Sequence, residues 1–229
     1  MKILAIIPAR GGSKGILRKN IKMLAGKPLI AYTIESALQA TTLDRVIVST
    51  DDDEIAEISH KFGAEVMMRP PELAEDKTPT LPVLQDVVAR LKSEGYLPDA
   101  VMTLQPTSPL RTASHINEAV AMFVNDPRAD SLVSCIEVPH IFHPQSVMKE
   151  NDNGYMVPYM GEKQPTRRQE KPTVFARNGA AIYITRTATL SDYIFGGNLL
   201  AYMMDVQSSI DIDEIADFIK VEQFLDHSK

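Results

Sequence analysis

Hydrophobic positions along the chain alternate between short continuous runs and longer segments of helical period. The short runs are rich in Ile and Val and lie at residues 2–7, 45–49, 65–68, 100–104 and 131–136. The longer segments carry apolar residues three and four positions apart and lie at residues 29–40, 53–62, 81–93 and 113–125. This alternation predicts an α/β fold, with a doubly wound, mostly parallel, Rossmann-like sheet covered by helices on both faces.

The regular alternation fails between about Pro139 and Asn178, where prolines and polar residues surround short runs at residues 154–159 and 167–171. We interpret residues 139–178 as a small lobe inserted into a single domain of residues 1–229. Such a lobe covers a site, makes a dimer contact, or does both. A disordered loop is the alternative, and the aromatic residues of the segment disfavour it. The core is expected to resume at residues 180–185 and 199–205 and to end with a helix at about 213–226.

Composition and charge exclude several classes of protein. With 229 residues and 44% hydrophobic residues, the chain can bury a sizeable core without disulfides. A net charge of −6 gives no chain-wide basic field, so we expect no nucleic-acid partner. Cys135 is the single cysteine and is read as a small buried hydrophobe, which fits a reducing cytoplasm. The N-terminal apolar run is too short to span a membrane and no export signal follows, so we predict a cytoplasmic protein.

The loop after the first predicted strand combines glycines, a hydroxyl and cations. Its sequence is PARGGSKG at residues 8–15, followed by Lys19 and Asn20. Glycines let backbone amides approach phosphate oxygens, and Arg and Lys neutralise the charge on a leaving pyrophosphate. The order of residues is neither a Walker loop nor a dinucleotide fingerprint. From composition alone, a triphosphate site and a glycine-rich turn with solvated cations both remain open.

Six segments, in this order along nearly the whole chain, closely resemble the acylneuraminate cytidylyltransferases, the CMP-sialic acid synthetases. They are IIPARGGSKG (6–15) with Lys19 and Asn20, VSTD (48–51), RP with ELA (69–74), LQPTSPLR (104–111), RNGA (177–180) and SIDID (209–213). The resemblance implies a nucleotidyltransferase that joins a sialic-acid-like nonulosonate, a nine-carbon sugar, to CMP. The sugar hydroxyl attacks the α-phosphorus of CTP, pyrophosphate leaves, and no organic cofactor takes part.

The same resemblance assigns the nucleotide-binding residues. They are Arg10, Gly12, Ser13, Lys14, Lys19 and Asn20. Arg10 and Lys19 are also assigned as catalytic, because their charges stabilise the phosphorus centre and the leaving group. The planar fork of an Arg suits phosphate oxygens better than a Lys ammonium does.

Asp211 and Asp213 lie where the last extended run turns into the last helix. Period-two geometry then places both carboxylates on one side. Two hard oxygen ligands suit Mg²⁺, but an aspartate at a helix start is also a common N-cap. The resemblance favours the metal and implies that Asp211 and Asp213 are catalytic ligands of one or two Mg²⁺ ions.

The sugar-binding residues are also implied by the resemblance. Gln105, Thr107 and Ser108 lie in the proline-bounded segment and are assigned to substrate binding, with Gln105 at the acceptor sugar. Arg111 either meets a carboxylate or phosphate of the substrate or braces the loop. Arg168 and Arg177 would supply charge to the sugar carboxylate. In the family the lobe crosses to a partner subunit, so we expect a homodimer in which one of these arginines acts in trans.

Alternatives remain open for the identity of the acceptor sugar and for the activity of the chain. Several sialic acid enzymes carry a lysine shortly after the residues that match His143 and Pro144, but Gln145 and Ser146 stand here. A related nonulosonate, legionaminic or pseudaminic acid, is therefore a contender. A Kdo-type cytidylyltransferase would show a different opening loop, and a guanylyl-transferring relative is a further alternative. From another class, the chain is a catalytically silent nucleotide-sugar-binding protein, which the retention of Arg10 and both aspartates disfavours.

Overall fold

A computed structural model describes residues 1–13, 15–161 and 171–226. Within them the strands are β1 (Ile3–Pro8), β2 (Met23–Leu24), β3 (Lys27–Pro28), β4 (Arg45–Thr50), β5 (Glu65–Met68), β6 (Ala100–Thr103), β7 (Ser131–Glu137), β8 (Met148–Glu150), β9 (Met156–Pro158), β10 (Phe175–Arg177), β11 (Tyr183–Arg186) and β12 (Leu199–Met203). The α-helices are α1 (Leu29–Gln39), α2 (Asp53–Lys61), α3 (Thr80–Ser93), α4 (Ala113–Asn125) and α5 (Ile215–Asp226). No helix of these described ranges is both long and apolar enough to cross a bilayer.

The described strands include a mixed sheet of eight, and its centre is parallel. β1 lies between β4 and β6, with Ala5 beside Val46 on one side and Met102 on the other. β5 continues the parallel part beyond β4, whereas β11 runs antiparallel to both β6 and β7. β12 pairs in parallel with β7, and β10 pairs with the end of β7 in antiparallel fashion. The predicted doubly wound α/β fold is confirmed, with antiparallel strands at one side.

Alternation along β1 explains the layers. Ile3, Ala5 and Ile7 point into the cluster that contains the buried faces of α1 and α4. Leu4 and Ile6 point the opposite way, into the cluster formed with α3. Because both faces of the strand are buried, its sequence is a continuous apolar run, as expected for a central parallel strand.

The last helix begins later than its sequence pattern predicts. α5 starts at Ile215, because the backbone N–H groups of Asp213 and Glu214 donate to the Asp217 carboxylate at 3.1 and 3.0 Å. Asp217 lies at the third position of the helix and accepts from the amide of Glu214 at the N-cap, as the acidic residue of a capping box does. Asp213 therefore lies ahead of the helix with a side chain that is 81% exposed.

The described part of the predicted lobe is built from short strands. β8 and β9 form a hairpin in which Lys149 lies opposite Val157, within the run predicted at residues 154–159. At the base of the lobe, the ring of His143 bonds through Nε2 to the carbonyl of Pro172 at 2.9 Å and accepts at Nδ1 from the Gln145 amide at 3.1 Å. The run predicted at 167–171 falls outside the described residues except for Lys171.

Candidate functional site

The candidate site lies where the strand order reverses. From β1 the chain passes to β4 and β5 on one side of the sheet, and β6 then pairs with the other side of β1. Ligands of doubly wound folds occupy the crevice beyond the carboxyl ends of such strands. Here the loops after β1 and β6 enclose a cavity of about 210 Å³. Its walls are Pro8, Arg10, Gly12, Ser13, Gly15, Lys19, Asn20, Gln105, Pro106 and Thr107.

The glycine-rich loop is held in shape by its neighbours. The Gly11 amide donates to Asp51 Oδ1 at 3.1 Å, and the buried Asn20 side chain donates to the Arg10 carbonyl at 3.0 Å. Arg18, which has a left-handed φ of 54°, donates both Nη atoms to Asp52 at 2.6 and 3.0 Å. Asp52 also accepts from the first turn of α2, so the loop is fastened to the start of that helix.

A small hydrophobic cluster brings the two ends of the chain together. Ile16 of the glycine-rich loop and Ile212, between the two aspartates, are both buried against α5. As a result, Lys19 Nζ donates to the Ile212 carbonyl at 2.7 Å and lies 3.4 Å from Asp213 Oδ1. A β-carbon on Gly15 would lie only 2.8 Å from the Asp213 carbonyl. The glycine-rich loop and the segment that carries Asp211 and Asp213 therefore lie side by side.

Asp211 is half-buried behind this meeting point. Its Oδ1 accepts from the Ser108 hydroxyl at 3.5 Å, and the following amide, of Ile212, donates to the Thr107 carbonyl at 2.8 Å. Burial raises the pKa of the Asp211 carboxyl, and the charge of Asp213 acts in the same direction. Two carboxylates in this situation favour a bound cation.

The donor set fits magnesium. Among the described residues, no group of three or more His, Cys, Asp or Glu side chains is placed to hold a metal ion. Asp211 and Asp213 are the two carboxylates predicted to hold a metal, and Mg²⁺ characteristically completes such a pair of hard oxygen ligands with water and substrate phosphate oxygens.

Gln105 is shared by three cavities. Besides the first, it lines a cavity of about 240 Å³ with Arg10, Arg69 and Thr80, and one of about 250 Å³ with Gly179, Ala180 and Tyr183. Arg10 belongs to the first two and pairs with Asp76 at 2.9 Å.

Sequence reasoning did not single out Arg69, Thr80 or Tyr183 as site residues, although these side chains line the two flanking cavities. Arg69 directly follows β5, and that position beyond a strand end was the available signal. Tyr183 reads in the sequence as an ordinary strand residue. Nothing in the pattern of its neighbours indicates that its side chain reaches a cavity.

Arg177 stands beside the third cavity. Its guanidinium lies 4.3 Å from the ring centre of Phe195, and Nη1 donates to the Tyr183 hydroxyl at 3.3 Å. Tyr183 is itself in the cavity wall. An exposed Arg that lies over an aromatic ring can still offer its remaining donors to an anion. The role of Arg177 toward a carboxylate stays a prediction.

The predicted substrate contacts of Arg111 and Ser108 do not fit their positions. Arg111 is only 2% exposed, and its Nη1 donates to the carbonyls of Gln105 at 3.3 Å and Ala181 at 2.7 Å. Burial lowers the pKa of Arg111 to about 9. Arg111 therefore braces its loop against the segment just before β11, which is the alternative left open by the sequence. Ser108 is fully buried and reaches Asp211 rather than a cavity.

Seven predicted site residues line the first cavity. They are Arg10, Gly12, Ser13, Lys19, Asn20, Gln105 and Thr107. Lys14 and Arg168 lie outside the described residues. The roles assigned to these side chains stay predictions.

Comparison with known proteins agrees with this architecture. Residues 4–223 match a protein family described as Cytidylyltransferase. The chain is 35% identical over 218 residues to an N-acylneuraminate cytidylyltransferase of Escherichia coli O18:K1:H7, covering 95% of this chain and 50% of that protein. It is 34% identical over 231 residues to a pseudaminic acid cytidylyltransferase of Campylobacter jejuni, covering 99% of this chain and 98% of the relative. The chain thus spans about half the length of the N-acylneuraminate relatives from E. coli and Streptococcus agalactiae.

Solved structures share the fold. The structure of a CMP:2-keto-3-deoxy-manno-octonic acid synthetase complexed with CTP superposes with a TM-score of 0.77 at 20% identity, over 100% of both chains. A 4-diphosphocytidyl-2C-methyl-D-erythritol synthase from Anaerococcus prevotii superposes with a TM-score of 0.64 at 14% identity, covering 98% of this chain and 96% of the other. At these identities the likeness concerns the fold alone.

Proposed function

The chain belongs to the cytidylyltransferase family, and we propose that it activates a sialic-acid-like nonulosonate by transferring CMP to it from CTP, with release of pyrophosphate. The observation that carries the proposal is the approach of Lys19 Nζ to within 3.4 Å of Asp213 Oδ1. Lys19 also lines the first cavity, so this contact joins the cavity wall to the segment that carries the two carboxylates. The N-acylneuraminate and pseudaminic acid cytidylyltransferases among its relatives support the choice of substrates.

The three cavities around Gln105 suit the three parts of the reacting pair. The first, lined by Arg10, Ser13 and Lys19, takes the phosphates. The second shares Arg10 with it and takes the nucleoside. The third includes Gly179, whose backbone touches Asp211, and takes the sugar. Under this arrangement Gln105 faces both substrates at the point of reaction.

The chain's own residues supply binding and charge. The Arg10 fork and the Lys19 ammonium neutralise the phosphate oxygens as negative charge moves onto the departing pyrophosphate. Arg177 holds the sugar carboxylate, so that the attacking hydroxyl is aligned with the α-phosphorus. Asp211 and Asp213 are proposed to hold Mg²⁺, which when bound supplies further positive charge to the phosphate oxygens. No covalent intermediate with the protein is required.

The acceptor is proposed to be N-acylneuraminate or a close relative, with pseudaminic acid as the second candidate. The pseudaminic acid relative matches over 98% of its own length, which favours keeping that candidate. Gln145 and Ser146 replace the lysine of several sialic acid enzymes, but Lys171 Nζ donates to Ser146 Oγ at 2.7 Å. A cation is therefore available at this position from another part of the chain.

A homodimer formed through the lobe is the proposed assembly. Apolar side chains more than half exposed are concentrated on residues 139–178, and large exposed apolar surfaces in soluble proteins usually mark contacts. They are Ile141, Phe142, Tyr155, Met156, Tyr159, Met160 and Phe175. A cytoplasmic location is also proposed, since the free and buried thiol of Cys135 needs no oxidising compartment.

A pyrophosphate-release assay tests the proposed function. The protein is mixed with Mg²⁺ and CTP, and then with N-acetylneuraminate, legionaminate, pseudaminate or Kdo, with GTP replacing CTP as a control. We expect release with CTP and a nonulosonate, with the N-acylneuraminate or pseudaminate reaction fastest. Tight CTP binding without pyrophosphate release for every sugar would instead favour a nucleotide-sugar-binding protein.

A further inference from the structure

A buried chain of hydrogen bonds runs from the middle of β7 to the segment that carries Asp211. The Ser134 hydroxyl donates to Asn178 Oδ1 at 2.6 Å and accepts from the Ile182 amide at 2.9 Å. The nitrogen of the Asn178 side chain, Nδ2, donates to Ser209 Oγ at 2.8 Å. Ser134 is fully buried and Asn178 is 6% exposed. Both ends of the Asn178 side chain are thus committed to protein partners.

The residue after Asn178 touches the carboxylate itself. Gly179 has a φ of 73°, and its backbone lies against Asp211 so closely that a β-carbon would meet Oδ2 at 2.7 Å. Asn178 and Gly179 therefore hold the segment 209–211 at two points, by a side chain at Ser209 and by the backbone at Asp211. That segment is neither strand nor helix, so it lacks a ladder of backbone bonds to fix it.

We propose that Asn178 is a positioning residue for the metal-binding carboxylate Asp211 and acts through the hydroxyl of Ser209. The inference rests on the proposed function, because it takes Asp211 as a Mg²⁺ ligand. Partners that orient a ligating carboxylate govern metal affinity nearly as strongly as the ligands do. A carboxylate fixed beforehand also loses less conformational freedom when the cation arrives.

The same turn connects the carboxylate with the proposed sugar cavity. Gly179 and Ala180 line that cavity, while Asn178 holds the carboxylate segment from the opposite side. A sugar that presses on the turn therefore acts on the residue that orients Asp211. The chain from Ser134 to Ser209 consequently fixes the carboxylate relative to the acceptor as well as to the metal.

Mn²⁺ binding measured by electron paramagnetic resonance, with CTP present and no sugar, tests the inference without turnover. Ser209→Ala removes the hydroxyl that accepts from Asn178 Nδ2 at 2.8 Å and leaves the weaker acceptor Met204 Sδ at 3.3 Å. It is expected to weaken Mn²⁺ binding about 10-fold. Ser209→Thr keeps the hydroxyl and should restore the affinity. The matched control is Ser208→Ala, one residue earlier, where the hydroxyl and the backbone amide both bond to the Asp205 carboxylate and not to Asn178. It should change the affinity less than about twofold.

A double variant shows whether Asn178 affects Mn²⁺ affinity through Ser209 or independently of it. If Asn178 works through Ser209, Asn178→Ala with Ser209→Ala should lose no more Mn²⁺ affinity than the larger single loss. Additive losses, or a folded Ser209→Ala protein with wild-type affinity, would overturn the inference. If Asn178→Ala does not fold, the Mn²⁺ affinity of Ser209→Ala alone tests the inference. A wild-type protein that binds Mn²⁺ but releases no pyrophosphate defeats the proposed function, while the Ser209 comparison still judges the positioning role.

Discussion

Gly179 and Asp211 are in such close contact that any side chain on residue 179 would strike the carboxylate, since a β-carbon there would lie 2.7 Å from Asp211 Oδ2. The φ of 73° at Gly179 is a second, independent reason for glycine, because residues with a β-carbon adopt this left-handed region at a cost. The first reason concerns the site and the second concerns the backbone. A matched pair of variants separates them.

Gly95→Ala is the control for Gly179→Ala. Gly95 has a φ of 85° and no heavy atom within 4 Å of an added β-carbon, so its substitution carries only the backbone cost of about 1 to 2 kcal/mol. Gly179→Ala carries that cost and also displaces Asp211. We expect both variants to lower the melting temperature and only Gly179→Ala to lower kcat, by about 10-fold or more. Equal kcat values in the two folded variants would show that the contact is irrelevant to turnover.

Arg10 and Asp211 carry the proposed chemistry from opposite sides of the site. Arg10→Ala removes charge from the phosphate cavity and Asp211→Asn removes a metal ligand, so each should reduce kcat by about 100-fold or more. Circular dichroism should remain that of the wild type. Arg128→Ala is the control, because that side chain is 86% exposed at another edge and should leave turnover unchanged. Near-normal turnover of folded Arg10→Ala or Asp211→Asn would refute the assigned roles.

Arg18 should contribute stability that depends on pH through Asp52. The hydrogen bond from Arg18 holds the pKa of the Asp52 carboxyl below its ordinary value. A lowered folded-state pKa gives stability that is present above the ordinary value and lost as the pH falls through the lowered one. Arg18→Ala should therefore reduce the free energy of unfolding at neutral pH, and its difference from the wild type should shrink in acid.

Urea unfolding at several pH values measures this difference. The control is the same substitution in an Asp52→Ser, Glu54→Gln background, where a hydroxyl still caps α2 and neither of the two carboxylates that Arg18 contacts remains. There the pH dependence of the Arg18→Ala effect should be largely gone. A difference that stayed constant from neutral to acid pH in the original background would contradict the assignment.

The exposed apolar residues of the lobe predict a dimer that charge will disrupt. Phe142 and Tyr155 are 65% and 71% exposed, and replacing both with Glu should place charge in the subunit contact. Light scattering should then give the mass of a monomer where the wild type gives twice that mass. Leu97→Glu, at a residue 50% exposed outside the lobe, should keep the wild-type mass. A wild-type protein with the mass of a monomer would contradict the proposed homodimer.

Much of the core could be predicted from the sequence because the spacing of hydrophobic residues indicates which positions of a strand or helix are buried. β5 and α4 have the predicted bounds, and β1 differs from its prediction by one residue at each end. The segments around the site were recognised by resemblance, and their convergence follows from Ile16 and Ile212, whose apolar side chains share one cluster. Local pattern and tertiary packing agree at these positions.

The direction of individual side chains and strands, and the hydrogen-bond partners of the side chains, could not be predicted from the sequence. Nothing local indicates that the Arg111 side chain turns inward to the Ala181 carbonyl, because the acceptor is 70 residues away. The start of α5 lies two residues after the predicted one, where Asp217 accepts from the Glu214 amide. The spacing of hydrophobic residues does not indicate which way such a side chain turns. The antiparallel direction of β11 was equally hidden, since a buried strand is an apolar run in either direction.

The fate of the α-phosphorus tests the central claim most directly. CTP labelled with ³²P at the α-position is incubated with Mg²⁺ and the best nonulosonate, and the products are separated. The account predicts that the label passes into the sugar nucleotide, that the pyrophosphate is unlabelled, and that Asp211→Asn nearly abolishes the transfer. Label that stays in CTP with every nonulosonate, or that appears in a product without the sugar, would contradict it.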